Sequence, residues 1–278
     1  MTVSRWRFAV VRAEAAVLPK GSAAIRVLHI SDIHMAPWQK RKQRFLASLI
    51  AEKPDLIVNT GDNLGHKNVV SQTLHALEPL LSVPGVFVNG SNDYFAPRFK
   101  SPFSYLFKPS TPHQEQPLDT KTLTSSFESN AWRNLNNSSN SIEINGVKLA
   151  LLGVDDAHLE LDDLESLDQT AALREKADVV IGVTHAPYRR VIEAMAENGV
   201  HILFAGHTHG GQVRFPFVGA LTTNSDLPNK NAKGMSAWSF GDRIMLLNVS
   251  AGLGNSIFAP IRFFNRPEVR LITLVAKN

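Results

Sequence analysis

The sequence predicts an α/β fold built on mixed β-sheets, and three observations carry that prediction. Apolar, β-branched runs alternate with helical spacing over the first 90 residues, the pattern of a parallel α/β core. The second half turns to hairpin signals, so a two-sheet core fits better than one wound sheet. Finally, side chains of metal-ligand type fall where strands stop, which is where α/β proteins place their chemistry. With 278 residues, 44% hydrophobic and 19% charged, the chain can bury a real core as one large domain over 1–278.

The elements follow in order. Residues 1–20 carry Arg5, Arg7 and Arg12 among short apolar stretches. That is too broken for a secretory signal and reads as a first strand or a surface segment. Ile25–Ile30 is a strand ending at Asp32. Gln39–Glu52 has helical spacing, with Phe45, Leu46, Leu49 and Ile50 inward and the Lys/Arg residues outward. Asp55–Asn59 is a strand, Val69–Leu81 a helix and Val86–Asn89 a strand. Residues 94–140 read as an irregular insertion, aromatic and basic in its first part (Phe95, Arg98, Phe99, Lys100, Phe103, Tyr105, Phe107, Lys108). Asn145-Gly146 marks a hairpin turn within 141–153. Ala177–Thr184 is a strand, and a helix runs from Pro187 to Asn198-Gly199. Strands at Val200–Phe204, Ile244–Val249 and Val269–Val275 complete the pattern.

The chemistry lies between these elements. Asp32, His34, Asp62, Asn92, His185, His207 and His209 form a mixed oxygen and nitrogen set large enough for two metal ions. Asp32-x-His34 places two side chains on one side of an extended strand end. Asp62 follows a glycine, and its carboxylate is suited to bridging two cations. Asn92 offers a neutral carbonyl oxygen. The stretch from Gly206 to Gln212, Gly-His-Thr-His-Gly-Gly-Gln, is the most specific signal, since paired histidines flanked by glycines serve no packing need. A mononuclear site using three or four of these ligands, or a metal-bound binding module without turnover, are the competing readings. The chain has no cysteine, which excludes disulfides, Cys-ligated zinc, iron–sulfur clusters and thiol nucleophiles.

Asp32-Ile33-His34, Gly61-Asp62-Asn63, Gly90-Ser91-Asn92-Asp93, Thr184-His185 and Gly206-His207-Thr208-His209 together resemble the calcineurin-like metallophosphoesterase family. The closer likeness is to the bacterial branch carrying Gly-His-Thr-His-Gly-Gly-Gln, whose members are often membrane-associated. The resemblance implies two mixed sheets packed as a sandwich flanked by helices. It implies that Asp32, His34 and His209 hold one divalent ion, that Asn92, His185 and His207 hold the other, and that Asp62 bridges. Mn, Fe and Zn all suit such ligands. It further implies hydrolysis of phosphodiester or pyrophosphate bonds by a metal-activated hydroxide, on nucleotide or lipid-linked substrates.

One position departs from the family. A histidine usually follows the metal-binding asparagine and protonates the leaving group; here Asp93 stands there. Nearby cations would favour its charged form, making it a poor acid. Either the leaving group needs little protonation, or His66, His113 or His158 supplies the proton. His66, His158 and Lys230 are candidate substrate contacts, with solvated surface positions as the plainer reading of each, and Lys233 is read like Lys230. His29 and His201 lie inside strands and read as packed; His75 reads as exposed. Asp156 is placed to orient a ligand histidine or to form a turn, and Asn63 to form a turn.

The net charge of +4 suits an anionic substrate or an acidic membrane surface. The aromatic, basic stretches at 95–108 and 257–264, the latter with Arg262 and, just beyond it, Arg266, read either as peripheral contacts with an anionic membrane or as loops whose aromatics pack onto the body. No dense basic stripe points to nucleic acid. The expected location is the cytoplasm, with a phosphate-bearing small molecule or lipid as substrate.

Overall fold

The computed structural model describes residues 7–97, 116–258 and 261–277. Two six-stranded mixed sheets form the centre. The first is built from β1 (Ala9–Leu18), β2 (Ile25–Ile30), β3 (Leu56–Asn59), β4 (Gly85–Phe87), β5 (Arg133–Asn134) and β14 (Glu268–Ala276), in the order β1-β14-β2-β3-β4-β5. The second is built from β6 (Ser138–Ile144), β7 (Val147–Gly153), β8 (Val179–Val183), β9 (Ile202–Ala205), β12 (Gly234–Phe240) and β13 (Arg243–Val249), in the order β12-β13-β9-β8-β7-β6. Strands β2 to β5 are mutually parallel, as are β7, β8, β9 and β13. A short hairpin, β10 (Arg214–Phe215) with β11 (Gly219–Ala220), stands apart.

Alternation along each strand decides the layers. Val27, Val58 and Val86 of the first sheet meet Leu149, Ile181 and Phe204 of the second in a shared core. Their neighbours Leu28, Ile57 and Phe87 point to the outer face. There they pack on α1 (Lys40–Ser48), α2 (Val70–Leu77) and α4 (Thr120–Ser129) through Leu46, Leu77 and Phe127. Leu152, Val180 and Leu203 face outward from the second sheet onto α6 (Arg189–Glu197), through Val191, Ile192 and Met195. The short α3 (Ser91–Tyr94) and α5 (Ala171–Arg174) lie in loops. The result is the expected sandwich of two mixed sheets flanked by helices.

Several expectations need correction. The buried residues of the first helix and the 3₁₀ turn that follows it are Lys42, Leu46 and Leu49, while Ile50 is exposed. Lys42 is not on the solvent face: its Nζ donates to the carbonyls of Ile33 (2.5 Å) and His34 (3.2 Å). The second helix ends at Leu77 and tightens into a 3₁₀ turn at Glu78–Leu80, because Pro79 has no N–H for an α-helical bond. Pro187 lies just outside α6, which starts at Arg189. The insertion at 94–140 is regular in its second part, where α4, β5 and the start of β6 lie. Most of its aromatic, basic run, and His113, fall outside the described residues. Arg262 is not a surface residue but fully buried. At Asn145-Gly146 both residues have positive φ (53° and 78°), the hairpin geometry anticipated from the dipeptide.

A buried polar chain ties the sheets together beneath the strand ends. The Arg270 Nε donates to Asn248 Oδ1 (2.6 Å), Asn248 Nδ2 donates to His29 Nδ1 (2.9 Å), and His29 Nε2 donates to Thr60 Oγ1 (3.0 Å). This wiring requires a neutral imidazole. Burial, with Arg270 nearby, lowers the His29 pKa to about 3. A depressed histidine pKa gives stability that is present above the unfolded value of about 6.5 and lost as pH falls towards 3. Between about pH 7 and about pH 5 this residue alone is expected to cost about 2 kcal/mol. Urea unfolding at both pH values should show that extra loss in the parent and not in His29→Gln; equal pH slopes would refute it.

Candidate metal centre

The parallel strands of both sheets deliver their C-terminal ends to one place. Asp32 and His34 follow β2, Asp62 follows β3, Asn92 lies in α3 after β4, His185 follows β8, and His207 and His209 follow β9. The loops interlock across the sheets. Asp32 N and His34 N donate to the carbonyls of Gly61 and Asp62 (both 2.9 Å). His207 N donates to both oxygens of Asp32 (3.1 and 3.2 Å). Asp32, His34, Asp62, His207 and His209 all hold positive φ, between 41° and 65°. Non-glycine residues in this region cost of order 1–3 kcal/mol each and cluster at functional sites; Asp and His are among the side chains that tolerate it.

The structure brings four of the seven candidates into one close group; His185 and His207 lie outside it, with ring centroids 5.2 Å apart. Donor atoms of Asp32, His34, Asp62 and His209 lie within 4.8 Å of one another. Asp62 stands between two groups: Oδ2 is 3.3 Å from His34 Nε2, and Oδ1 is 3.6 Å from His185 Nε2. The backbone N and Nδ2 of Asn92 each donate to Asp62 (2.8 Å), which fixes the carboxylate in plane. His185 and His207 each have one nitrogen on a backbone carbonyl, which leaves the other for a ligand. His185 Nδ1 donates to the Thr60 carbonyl (2.7 Å), His207 Nε2 faces the Asn224 carbonyl (3.1 Å), and His209 Nδ1 faces Arg262 Nη2 (3.5 Å).

A cation fits these residues on their own evidence. Both ring nitrogens of His34 and the Nε2 of His185 are buried without a hydrogen-bond partner, which is costly unless something else is coordinated there. Burial lowers His34 to about 4 and holds His207 and His209 well below the ordinary histidine value, so all three present lone pairs. Burial would raise Asp62, but the imidazoles of His185 and His34 hold it well below the ordinary range. Burial raises Asp32 to about 6. His185 is pulled the other way: burial lowers it, yet the carboxylates of Asp62, Asp156 and Asp32 outweigh that and raise it to about 9. A proton on His185 thus occupies the place where this donor set would hold a metal.

Other expected residues separate clearly. His158 is brought in: its ring lies 4.6 Å from that of His207, and its Nδ1 is 2.9 Å from the Tyr188 hydroxyl. Asp156 is fully buried but accepts from His158 N (3.0 Å); the Thr60 carbonyl, not Asp156, orients His185. His66 packs edge-on against Trp38 (5.6 Å) and accepts from Asn68 N (3.2 Å) instead of joining the ligands. Lys230 is exposed in the 3₁₀ turn Asn229–Asn231, and Lys233 lies inward, 3.7 Å from Glu268. His201 accepts from Val180 N (3.1 Å) and His75 pairs with Glu78 (3.3 Å), both as expected.

Against the expected lowering, burial and the nearby Asp62 carboxylate raise Asp93 to about 7. It is fully buried, and its oxygens accept from Asn63 N (2.8 Å), Gly90 N (3.1 Å), Asn63 Nδ2 (3.2 Å) and Leu64 N (3.3 Å). It braces the turn carrying Asp62 against the turn carrying Asn92. Asp93→Ala orphans three buried backbone N–H groups and the Asn63 side-chain amide, and is expected to cost about 3 kcal/mol or more, read as a lower urea midpoint. An unchanged midpoint would remove this role.

Sequence reasoning missed two cations. Lys42 pins the Asp32–His34 turn from below. Arg262 Nη2 donates to the Ala251 carbonyl (2.7 Å) and to that of Gly254, and so locks the loop beside His209. A lysine within a basic helix, and an arginine within an aromatic stretch, give no signal of burial.

Similarity to known proteins agrees with this geometry. The chain is 29% identical over 263 residues to YpbG of Bacillus subtilis (strain 168), covering 92% of this chain and 83% of that protein. It is 23% identical over 270 residues to the metallophosphoesterase YkuE of the same organism, covering 95% and 84%. Among solved structures, the NAD nucleotidase of Haemophilus influenzae aligns with a TM-score of 0.47 and 11% identity, over 84% of this chain and 51% of that one. The calcineurin-like phosphoesterase family model matches residues 25–211, from the first strand of the ligand-bearing core to the glycines after His209. That span contains all seven candidate ligands, and the chain belongs to the calcineurin-like phosphoesterase family, whose members are metal-dependent phosphoric ester hydrolases.

Proposed function

We propose that the protein is a dinuclear phosphoesterase that hydrolyses phosphodiester or pyrophosphate bonds. The observation that carries this reading is Asp62, whose two oxygens face the Nε2 atoms of His34 and His185, both buried without a hydrogen-bond partner. In this reading Asp32, His34 and His209 hold one divalent ion, Asn92, His185 and His207 hold the other, and Asp62 serves both. Residues 1–278 act as one domain, because each sheet supplies only part of the set. When bound, Mn, Fe or Zn ions supply Lewis acidity: they activate water and offset charge on the phosphoryl oxygens. The protein's own share is orientation. Asn92 fixes the plane of Asp62, and Thr60, Asn224 and Arg262 set the imidazole rings.

With no histidine after Asn92, the candidate proton donor is His158, held beside His207 by Tyr188. The preferred substrates are then activated diesters or pyrophosphates, whose leaving groups need little help. Nucleotide and lipid-linked diphosphates both meet that description. His66 and Lys230 gain no support as substrate contacts. A panel of an aryl phosphodiester, a pyrophosphate-linked nucleotide and an alkyl monoester, with added Mn²⁺, tests the reading. Turnover of the first two should exceed that of the monoester, and equal rates would refute the preference. His158→Gln should slow the substrate with the most basic leaving group by about 10²-fold and the aryl diester far less. Equal losses on both would assign His158 to binding instead.

A further inference from the structure

A second site lies outside the metal centre, and its argument is independent of the phosphoesterase reading. Arg7, Arg41, Arg44 and Arg266 line one cavity of about 380 Å³ with Phe8 and Phe45. Three chain segments contribute: the approach to β1, the first turns of α1 and the approach to β14. These residues leave the first sheet at the edge where β2 ends, since β14 runs antiparallel to β2 and parallel to β1.

The cavity is charged without compensation. Five arginines elsewhere have carboxylate partners: Arg12 with Glu52, Arg26 with Asp55, Arg189 with Glu193, Arg190 with Asp162 and Arg270 with Glu268. Among the described residues, none of the four cavity arginines has a carboxylate partner. α1 adds Lys40 beside Arg41 and carries no acid in its first turn. The positive end of the helix dipole disfavours cations there, and like charges three residues apart disfavour the helix. The charges of Arg41 and Arg44 therefore do not favour this helix. Arg266 is also fixed in place, its Nε donating to the Arg7 carbonyl (2.5 Å) and its Nη2 to that of Phe8 (3.0 Å).

The floor is apolar. The rings of Phe8 and Phe45 stack at 5.2 Å with 26° between planes. Both rings are partly buried against the outer core, and the part that lines the cavity offers an apolar surface to a chain or ring; guanidinium groups bind phosphate through paired N–H donors. We propose that this cavity binds an amphipathic phosphate, with the oxyanion on the arginines and the apolar part on Phe8 and Phe45. Such a ligand has two sources, an anionic phospholipid in a membrane or a soluble organic phosphate.

The test uses the full chain and four probes: phosphatidylglycerol vesicles, phosphatidylcholine vesicles, phenylphosphonate and inorganic phosphate. Arg41→Glu/Arg44→Glu and Arg41→Gln/Arg44→Gln are compared with the parent. Both positions are exposed, and thermal melting checks the fold. Binding to phosphatidylglycerol but not phosphatidylcholine vesicles, weakened about thirtyfold in the Gln pair and abolished in the Glu pair, supports the site with a lipid source. Phenylphosphonate binding tighter than phosphate, lost in both pairs but kept in Asp62→Ala, supports it with a soluble source. The proposal is overturned if no probe binds, if both arginine pairs bind like the parent, or if Asp62→Ala alone removes binding.

Discussion

Asp62→Ala is expected to lower turnover of an aryl phosphodiester by about a thousandfold or more while the protein stays folded. Asp62 has His34 on one oxygen and His185 on the other. Charge stabilisation by bound metal is worth several kcal/mol, and each 1.36 kcal/mol is about tenfold in rate. Removing the shared carboxylate also frees the Asn92 donors and takes away the principal charge that raises His185. Asp62→Asn should retain the hydrogen bond from Asn92 N yet lose most turnover, because it supplies no negative charge. Turnover of either variant within tenfold of the parent would contradict the assignment.

Gly61→Ala should unfold the protein about 10 °C earlier and abolish turnover together. Gly61 has φ +87°, where an L side chain is strained. Its added Cβ would also overlap the Gly90 nitrogen and lie 2.6 Å from the Asn89 carbonyl carbon. Both are backbone atoms that cannot rotate aside. Strain plus forced displacement sums to about 3 kcal/mol, and each kcal/mol shifts the midpoint of a chain this size by about 2–4 °C. The overlap pushes the Asp62 turn away from the turn that carries Asn92, which accounts for the loss of both properties. Gly146→Ala is the control. Its φ is +78°, but its Cβ would meet nothing within 4 Å, so only the strain of about 1 kcal/mol is expected, with turnover intact. Equal behaviour of the two variants would refute the close-packed turn.

The fold was legible where one local rule governed a segment. Ile25–Ile30 and the hairpin at Asn145-Gly146 announce themselves by residue type and turn chemistry. Four candidate ligands that the structure gathers, Asp32, His34, Asp62 and His209, could be picked out because they stand at or just beyond the ends of apolar runs. What stayed hidden depends on residues far apart in sequence. Lys42 looks like its solvated neighbours until the Ile33 and His34 carbonyls are brought above it. The edge strand β12 alternates Ser and Ala with Trp238 and Phe240, a pattern too weak to separate from a loop until β13 pairs with it. Asp93 read as a catalytic position by analogy, and only its four donors reveal a brace.

The central claim is a two-ion centre shared by one carboxylate. Its most direct test is metal content per chain, measured alongside aryl phosphodiester turnover as Mn²⁺ is titrated into metal-free protein. The structure predicts that activity rises to its plateau as a second ion binds, and that Asp62→Ala reaches no plateau. Full activity at one ion per chain, or two ions bound in Asp62→Ala with parental turnover, would contradict it.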